Sequence, residues 1–230
     1  WYKTAPVKEG VNISLKLFNE TQSLPQIFEA GDKWADLRAD RIAKEFGVQY
    51  IIKGGNNEYQ RVREIAATKA AFILPLNFPA PMDADDPNEL RFTGLDDLKH
   101  WELAPTNAAA LAKAGVTFAF TTADLTNIAD FSANLRKAIE YGLSETKALE
   151  ALTKTPASLL GIYEKVGSLE AGKLANFIIT SGNVFDAKTV ILQNWVQGAR
   201  YDVKDENWFD VKGTYQFTAS NAKNFTLELK

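Results

Sequence analysis

The sequence predicts an α/β fold followed by a β-rich portion, and two observations support this prediction. From about residue 11 to residue 142, short apolar runs alternate with longer stretches of helical spacing. Short strands that are each followed by a helix are typical of βα units around a parallel sheet. Near residues 162–166 the pattern changes to β-rich segments separated by Gly turns, which indicates an all-β part.

The α/β part contains four predicted βα units. The predicted strands are VNISLKLF (11–18), VQYIIK (48–53), AAFILPLNF (70–78) and VTFAFTT (116–122). The predicted helices cover residues 26–47, 58–69, 104–115 and 130–142. Gly47 ends the first of these helices, as a left-handed residue commonly does. Four such units fit either an open sheet or half of a (β/α)8 barrel, which usually takes about 250 residues. Periodicity alone does not choose between these two architectures.

The change of pattern divides the chain into three predicted portions. Residues 1–163 form the α/β part, which closes with a helix capped by Ser144 and a short helical turn starting at Pro156. Residues 164–205 form the β-rich portion. Within residues 206–230, two alternating segments, 210–217 and 224–230, flank the turn-forming TASNAK and predict a hairpin. An isolated hairpin is marginal in water, so we expect it to begin a further module or to extend a sheet edge.

Composition excludes several classes of function. The chain has 230 residues with 26 basic and 29 acidic side chains, a net charge of −3, which gives no footprint for nucleic acid or an anionic membrane. It contains no Cys and one His, which excludes disulfides, thiolate catalysis and multi-histidine metal centres within it. The chain starts at Trp1 without a signal-peptide pattern, and both ends resemble cuts. We therefore expect a fragment of a longer protein.

Residues 143–201 carry a set of motifs in a fixed order. They read LSETKALEALTKTPASLLGI, then VGSLEAGKLANFIITSG, then VILQNWVQGARY. This stretch resembles the C-terminal end of amidohydrolase-superfamily enzymes, in the imidazolonepropionase and dihydroorotase-like group. The resemblance implies strands five to eight of a TIM-like barrel plus part of a small β-sandwich. Because half a barrel leaves two sheet edges open, it also implies a partner: the missing N-terminal half or a second copy of the chain.

The same resemblance implies a metal site that this sequence does not complete. Active members hold metal with histidines after strands five and six and with an Asp after strand eight. Here Phe18 or Asn19 stands at the first position, Lys53 at the second and Asp124 at the third. An ammonium group repels a divalent cation and has no lone pair while it is charged. We therefore expect a degenerate site with no cofactor in this chain, and zinc only if other segments supply ligands.

Lys53 and Asp124 are the candidate catalytic residues, and we predict that they form an ion pair in place of the metal. The alternative for Asp124 is that it caps or orients the loop that follows it.

Other residues have weaker functional interpretations. His100 is expected to be a surface or packing residue. The acidic loop 82–90 can offer oxygen ligands to Ca²⁺ but lacks the EF-hand spacing, so a solvated loop is favoured. The turn 54–57 can cradle a phosphate, although a tight βα turn with Asn57 capping the next helix is the simpler interpretation. Asn77 follows a predicted strand and either points into a barrel mouth or forms a turn.

Two hypotheses of function follow. In the first, the chain is a fragment of an amidohydrolase-related protein that hydrolyses amide or other C–N bonds, and is inactive by itself. In the second, it is a non-enzymatic scaffold or a module that binds a ligand or partner. A third possibility is an unrelated open α/β sheet. We expect no nucleic-acid partner and no membrane insertion, and the resemblance to exported multi-module hydrolases favours the periplasm.

Overall fold

The computed structural model describes residues 12–83, 85–204, 213–218 and 224–229. It begins with helix α1 (Ile13–Glu20), whose first turn is capped by Asn12: its Oδ1 accepts a hydrogen bond from the Leu15 N–H at 3.1 Å. The predicted strand over 11–18 is therefore wrong. The adjacent Leu17 and Phe18 break the strand alternation, and the Asn12 cap stabilises a helical start.

Four strands form a parallel sheet in the α/β part. They are β1 (Gln26–Glu29), β2 (Tyr50–Lys53), β3 (Ala71–Pro75) and β4 (Phe118–Thr121), and their order in the sheet is β1-β2-β3-β4. The register places Ile27 opposite Ile51 and Ile73 opposite Ala119. The predicted α/β fold with a parallel sheet is confirmed.

The first strand lies inside the range predicted to be helical, 26–47. Only Lys33–Phe46 forms a helix (α2), because Asp32 caps it by accepting hydrogen bonds from the N–H groups of Trp34 and Ala35, both at 2.8 Å. The helix ends at Gly47 in the left-handed conformation, with φ 64°. The four residues before Ala30 pair with β2 instead, so the prediction joined a strand and a helix into one element.

The remaining helices surround this sheet or connect its strands. A 3₁₀ turn (Glu58–Arg61) leads into α3 (Val62–Thr68) after β2. The connection after β3 contains α4 (Pro87–Phe92), α5 (Leu95–Leu103), a 3₁₀ turn (Ala104–Thr106) and α6 (Asn107–Lys113). A 3₁₀ turn (Ile128–Asp130), α7 (Phe131–Glu140), α8 (Glu145–Leu152) and α9 (Lys154–Leu159) follow β4. Ser144 caps α8, as predicted: its Oγ accepts from the Lys147 N–H at 3.2 Å.

One hydrophobic cluster joins the sheet to the helices. Alternate strand residues point to the same face, and Ile52, Phe72 and Phe118 are fully buried within this cluster, with Leu111 from α6 and Leu135 from α7. The opposite set of strand residues includes Ile27, which is 56% exposed at the edge strand β1. The sheet is thus covered by helices on one face and partly open on the other.

The C-terminal strands form two antiparallel sheets. Strands β5 (Phe177–Thr180), β6 (Ile191–Val196) and β7 (Ala199–Asp202) form a three-stranded sheet in the order β5-β6-β7, in which Phe177 stacks on Trp195 at 5.3 Å between ring centroids. Strands β8 (Gly213–Thr218) and β9 (Asn224–Leu229) pair with each other, which confirms the predicted hairpin pairing. Residues 219–223 between them lie outside the described part.

Among the described residues, every helix is too short or too polar to cross a membrane.

Candidate functional site

Charged side chains meet at the carboxyl end of the parallel sheet. Glu29 is the last residue of β1, Lys53 is the last residue of β2, and these two residues are register partners. Asp124 comes three residues after β4 ends at Thr121. Because parallel strands end at one edge, residues far apart in sequence lie together there, which is where α/β barrels and open α/β sheets place their sites.

Lys53 lies between two carboxylates. Its Nζ donates hydrogen bonds to Glu29 Oε1 at 2.8 Å and to Asp124 Oδ2 at 2.6 Å. The Lys53 side chain is 13% exposed, while those of Glu29 and Asp124 are 75% and 42% exposed. The predicted Lys53–Asp124 ion pair is therefore present, although its catalytic role stays a prediction.

The two carboxylates hold Lys53 in its charged form. Desolvation lowers the pKa of Lys53, but the hydrogen bonds and charges of Asp124 and Glu29 act in the opposite direction and outweigh it, so the pKa is raised. The ammonium therefore persists through neutral pH.

The backbone of the β4 loop directs Asp124 towards the sheet. Asp124 has φ 65°, a left-handed conformation that Asp tolerates better than most residues. Within the same turn, Thr121 Oγ1 accepts a hydrogen bond from the Ala123 N–H at 3.1 Å. The Asp124 carboxylate contacts Lys53, 71 residues away in sequence, rather than capping the loop that follows it.

The structure corrects the first position of the site. Phe18 and Asn19 lie on α1, not at the end of a strand, because residues 13–20 form a helix. Glu29 occupies the end of the first strand instead, and it is not among the site residues predicted from the sequence. The available signal was the short run QIFE (26–29), which Ala30, Gly31 and the helix-capping Asp32 follow. This pattern indicates a strand that ends just before a helix.

These three residues do not fit a divalent metal as they are arranged. Metal binding needs donor lone pairs, and the Lys53 ammonium lies within hydrogen-bonding distance of both carboxylates. Within the described ranges, no group of three or more His, Asp or Glu side chains has a metal-binding arrangement. That zinc binds only if segments outside this chain supply its ligands stays a prediction.

The turn after β2 binds a carboxylate of its own chain. Glu58 is fully buried, and its Oε1 accepts hydrogen bonds from the backbone N–H groups of Gly55 at 2.7 Å and Asn56 at 3.1 Å. Its Oε2 accepts from Asn107 Nδ2 at 2.5 Å. The N–H groups that a phosphate would use are thus occupied, which favours the tight-turn interpretation of residues 54–57. Asn57 does not cap the next helix; its Oδ1 accepts from the Lys33 N–H at 2.8 Å.

Three polar side chains near these loops have buried atoms without a hydrogen-bond partner among the described residues. The atoms are the two carboxylate oxygens of Asp36, Nδ2 of Asn56 and Oδ1 of Asn77. Asp36 is fully buried on α2, and burial, followed by the charges of Glu58 and Asp32, raises its pKa to about 8. Asn77 follows β3 at the same edge of the sheet as Lys53.

The other candidate positions lie in the connection after β3. His100 is on α5, and its Nδ1 contacts the Tyr59 hydroxyl at 3.1 Å. The last four residues of the acidic segment 82–90 belong to α4, so only its first part is a loop. There, Asp83 Oδ1 accepts a hydrogen bond from the Asp85 N–H at 2.9 Å. The solvated-loop interpretation of its acidic residues stays a prediction.

Comparison with known proteins shows similarity to amidohydrolases. The model of the amidohydrolase family matches residues 102–214. The fold is similar to that of an amidohydrolase from Thermotoga maritima MSB8, with 25% identity and a TM-score of 0.65, over 86% of this chain and 49% of that protein.

Two further solved structures share the fold at lower identity. A prolidase complexed with N-methylphosphonate-L-proline matches with 20% identity and a TM-score of 0.55, over 76% of this chain and 44% of its own. The ochratoxinase of A. niger matches with 16% identity and a TM-score of 0.53, over 80% of this chain and 43% of its own. A search of curated proteins found no match.

Residues 102–214 thus match the amidohydrolase family, and the chain spans about half the length of the T. maritima protein.

Proposed function

We propose that this chain supplies barrel strands five to eight and part of the flanking β-sandwich of an amidohydrolase-type hydrolase, and that it is inactive by itself. The observation that carries the proposal is Lys53, whose ammonium lies between Glu29 and Asp124 at the carboxyl end of the sheet. In the related family this edge holds a metal that activates water for the hydrolysis of amide and other C–N bonds.

The topology supports the barrel assignment. The four parallel strands follow each other in the sheet in chain order, with a helical connection after each of the first three and helices after β4. A barrel segment has this order, whereas a doubly wound open sheet reverses its order at a switch point. The three-stranded antiparallel sheet β5–β7 supports the assignment of residues 164–205 to a β-sandwich portion.

The charge distribution supports the proposal of inactivity. A metal generates a nucleophile from bound water only when its ligands offer lone pairs and leave an open position. Lys53 offers a positive charge instead, and its raised pKa keeps that charge at neutral pH. Zinc enters the proposal only if segments outside this chain supply the ligands.

Metal analysis of the purified chain tests this proposal, together with hydrolase assays on the full-length gene product. We expect no stoichiometric zinc in the chain and no hydrolysis of dipeptide or N-acyl amino-acid substrates by it. In an active full-length protein, Asp124→Asn should lower kcat, whereas the exposed Asp85→Asn, the charge-matched control, should not. Stoichiometric zinc in the purified chain that Asp124→Asn abolishes, or hydrolysis by the chain alone, would contradict the proposal.

A binding or scaffold role is the second candidate, and the same ion pair favours it. Lys53 neutralises the carboxylates that would attract a cation, so the end of the sheet is available for a ligand or a partner. Absence of both metal and hydrolase activity from the full-length gene product is the outcome that separates this role from the first.

The proposed partner is the missing N-terminal half of the barrel or a second copy of the chain. Among the described residues β1 and β4 are the edges of the parallel sheet, and exposed edges of this kind are normally covered. Nucleic acid and membrane are not proposed as partners. A periplasmic location stays a prediction that fractionation of the source cells would test.

A further inference from the structure

A cavity of about 390 Å³ lies within the connection between β3 and α6. All of its lining residues come from positions 79–101, which follow the carboxyl end of β3. This connection begins at the same edge of the sheet as Lys53, although Lys53, Glu29 and Asp124 do not line the cavity. Its volume falls in the range of small-molecule sites. The cavity is therefore a candidate ligand site in its own right.

Two aromatic side chains form part of the cavity wall. They are Phe92 and Trp101, which are 79% and 38% exposed, so much of each ring is available to a ligand. The face of an aromatic ring is negative and attracts a cation, most strongly in the case of Trp. Met82 adds further apolar surface to the wall. Walls of this kind favour a cation that carries alkyl groups.

Asp97 adds a negative charge to the same wall. Its Oδ2 accepts a hydrogen bond from the Gly94 N–H at 3.3 Å, at the start of α5. None of the ion pairs within the described ranges includes Asp97. A carboxylate without a counter-ion beside two aromatic rings favours a positively charged ligand over a neutral or a negative one.

The charge of the surrounding segment acts in the same direction. Positions 79–101 contain six acidic and two basic residues, a net charge of −4, in a chain whose total charge is −3. A concentration of one sign of charge around a cavity raises the local concentration of ligands of the opposite sign. The segment therefore attracts cations and repels anions.

His100 also lines the cavity but does not oppose a cation at neutral pH. Partial burial, followed by the charge of Lys33, lowers the pKa of His100, while Asp97 and Glu58 act in the opposite direction. The imidazole is therefore uncharged at neutral pH. Its ring is held by Tyr59, whose hydroxyl lies 3.1 Å from Nδ1 and whose ring stacks on it at 6.0 Å between centroids.

We infer that this cavity binds a small methylated ammonium compound, whose cationic group contacts the rings of Phe92 and Trp101 and is neutralised by Asp97. Methyl groups on the nitrogen suit the apolar wall, because they spread the charge and leave no N–H donor without an acceptor. Binding requires no hydrolysis, so the inference does not depend on the proposed function.

NMR titration with choline chloride at constant ionic strength tests the inference. The chain contains one His and one Met, and both line the cavity. The full chain is released from a cleavable fusion, so that no other His or Met remains. Choline should shift the His100 and Met82 signals along one saturable curve. It should also lower the pKa of His100, because a bound cation disfavours a second positive charge beside it.

Two other compounds separate the charge of choline from its shape and its source. The uncharged analogue, in which a tert-butyl group replaces the trimethylammonium group, should bind roughly tenfold more weakly and leave the pKa of His100 unchanged. Phosphocholine, the zwitterionic headgroup of a lipid, should bind more weakly than choline because its phosphate is repelled by the acidic segment.

Asp97→Asn tests the counter-charge. It keeps an oxygen that can accept from the Gly94 N–H, and should weaken choline binding roughly threefold or more. Asp96→Asn is the matched control, because it removes the same charge from the same turn of α5 but does not line the cavity. It should bind choline nearly as the parent chain does.

Trp101→Leu tests the aromatic contact and should weaken choline binding several-fold. Trp34→Leu, which removes an exposed Trp from α2, is the control. Phe92→Leu tests the same contact at a more exposed position, where the substitution should leave the free energy of unfolding nearly unchanged.

No saturable shift with choline in the millimolar range, equal affinity for the uncharged analogue, or tighter binding of phosphocholine would overturn the inference. Parent-like choline binding by Asp97→Asn, or an equal loss in Asp96→Asn, would also overturn it.

Discussion

Asp36 is a buried carboxyl group whose two oxygens have no hydrogen-bond partner among the described residues. Its pKa is raised from 3.8 to about 8, first by burial and then by Glu58 and Asp32. A proton is therefore retained in the folded state at pH values where the unfolded chain has released it. Stability contributed by this proton is fully present below the unfolded pKa and is lost as pH rises towards 8.

Asp36→Asn removes this titration and leaves a neutral side chain of the same shape. We expect the free energy of unfolding of the variant, relative to the parent, to increase between about pH 5 and about pH 8 by a few kcal/mol, since each pKa unit is about 1.4 kcal/mol. Urea unfolding at the two pH values measures the difference. Asp85→Asn, at an exposed position, is the charge-matched control, and a pH-independent difference for Asp36→Asn would contradict the prediction.

We expect the Lys53–Asp124 ion pair to make a modest contribution to the free energy of unfolding. Because the side chains of Asp124 and Glu29 are substantially exposed, solvent screening weakens their attraction to Lys53. In a double-mutant cycle with Lys53→Met and Asp124→Asn, we expect a coupling free energy of about 1 kcal/mol that decreases in high salt. A coupling near zero at low salt would show that the contact does not stabilise the fold.

At the scale of elements, the turn after β2 depends on the close approach of two loops. A Cβ on Gly55 would lie 2.2 Å from the backbone oxygen of Gly31, whereas a Cβ on Gly31 would meet nothing within 4 Å. We expect Gly55→Ala to cost roughly 2 kcal/mol or more and Gly31→Ala to be nearly neutral. Thermal and urea unfolding of the pair measure this difference, and equal stabilities would contradict the observed packing of the two loops.

The buried Glu58 connects this turn to α6. Glu58→Gln places an amide where two oxygens accept from Gly55, Asn56 and Asn107, so at least one donor loses its acceptor. We expect a loss of about 1–3 kcal/mol in the free energy of unfolding. Glu64→Gln, on the exposed side of α3, should cost less than about 1 kcal/mol. Equal losses in the two variants would argue against a special role of the Glu58 carboxylate.

The strands also show where sequence patterns are sufficient to predict secondary structure. The runs at 48–53 and 116–122 are recognisable strands because each contains several apolar residues between turn or helix signals, and both contain strands in the structure. The four residues of β1 are too few to show a period, and helix-forming residues follow them. Pairing with β2 makes them a strand, and that contact is not visible along the chain.

At the scale of the whole molecule, the open side of the sheet indicates association. Strand β1 is an edge of the parallel sheet with Ile27 56% exposed, and no residue of α1 is buried. We expect the chain alone to sediment above its monomer mass of 25.5 kDa and Ile27→Lys to shift it towards the monomer. Leu169→Lys, at another exposed position, is the control. A monomer at all concentrations would contradict association through a second copy.

The sequence by itself determined the α/β class, the change to β structure after residues 162–166, the family resemblance and the Lys53–Asp124 pair. Each depends on local patterns or on an ordered set of motifs, and both can be recognised in the sequence without knowledge of tertiary contacts. Only the tertiary structure decided that Glu29 ends the first strand, that Glu58 fills the turn at 54–57, and that Tyr59 orients His100. The first depends on strand pairing, and the other two depend on contacts of Glu58 with Asn107 and of Tyr59 with His100, 49 and 41 residues apart. Packing brings these residues together, and local sequence does not show it.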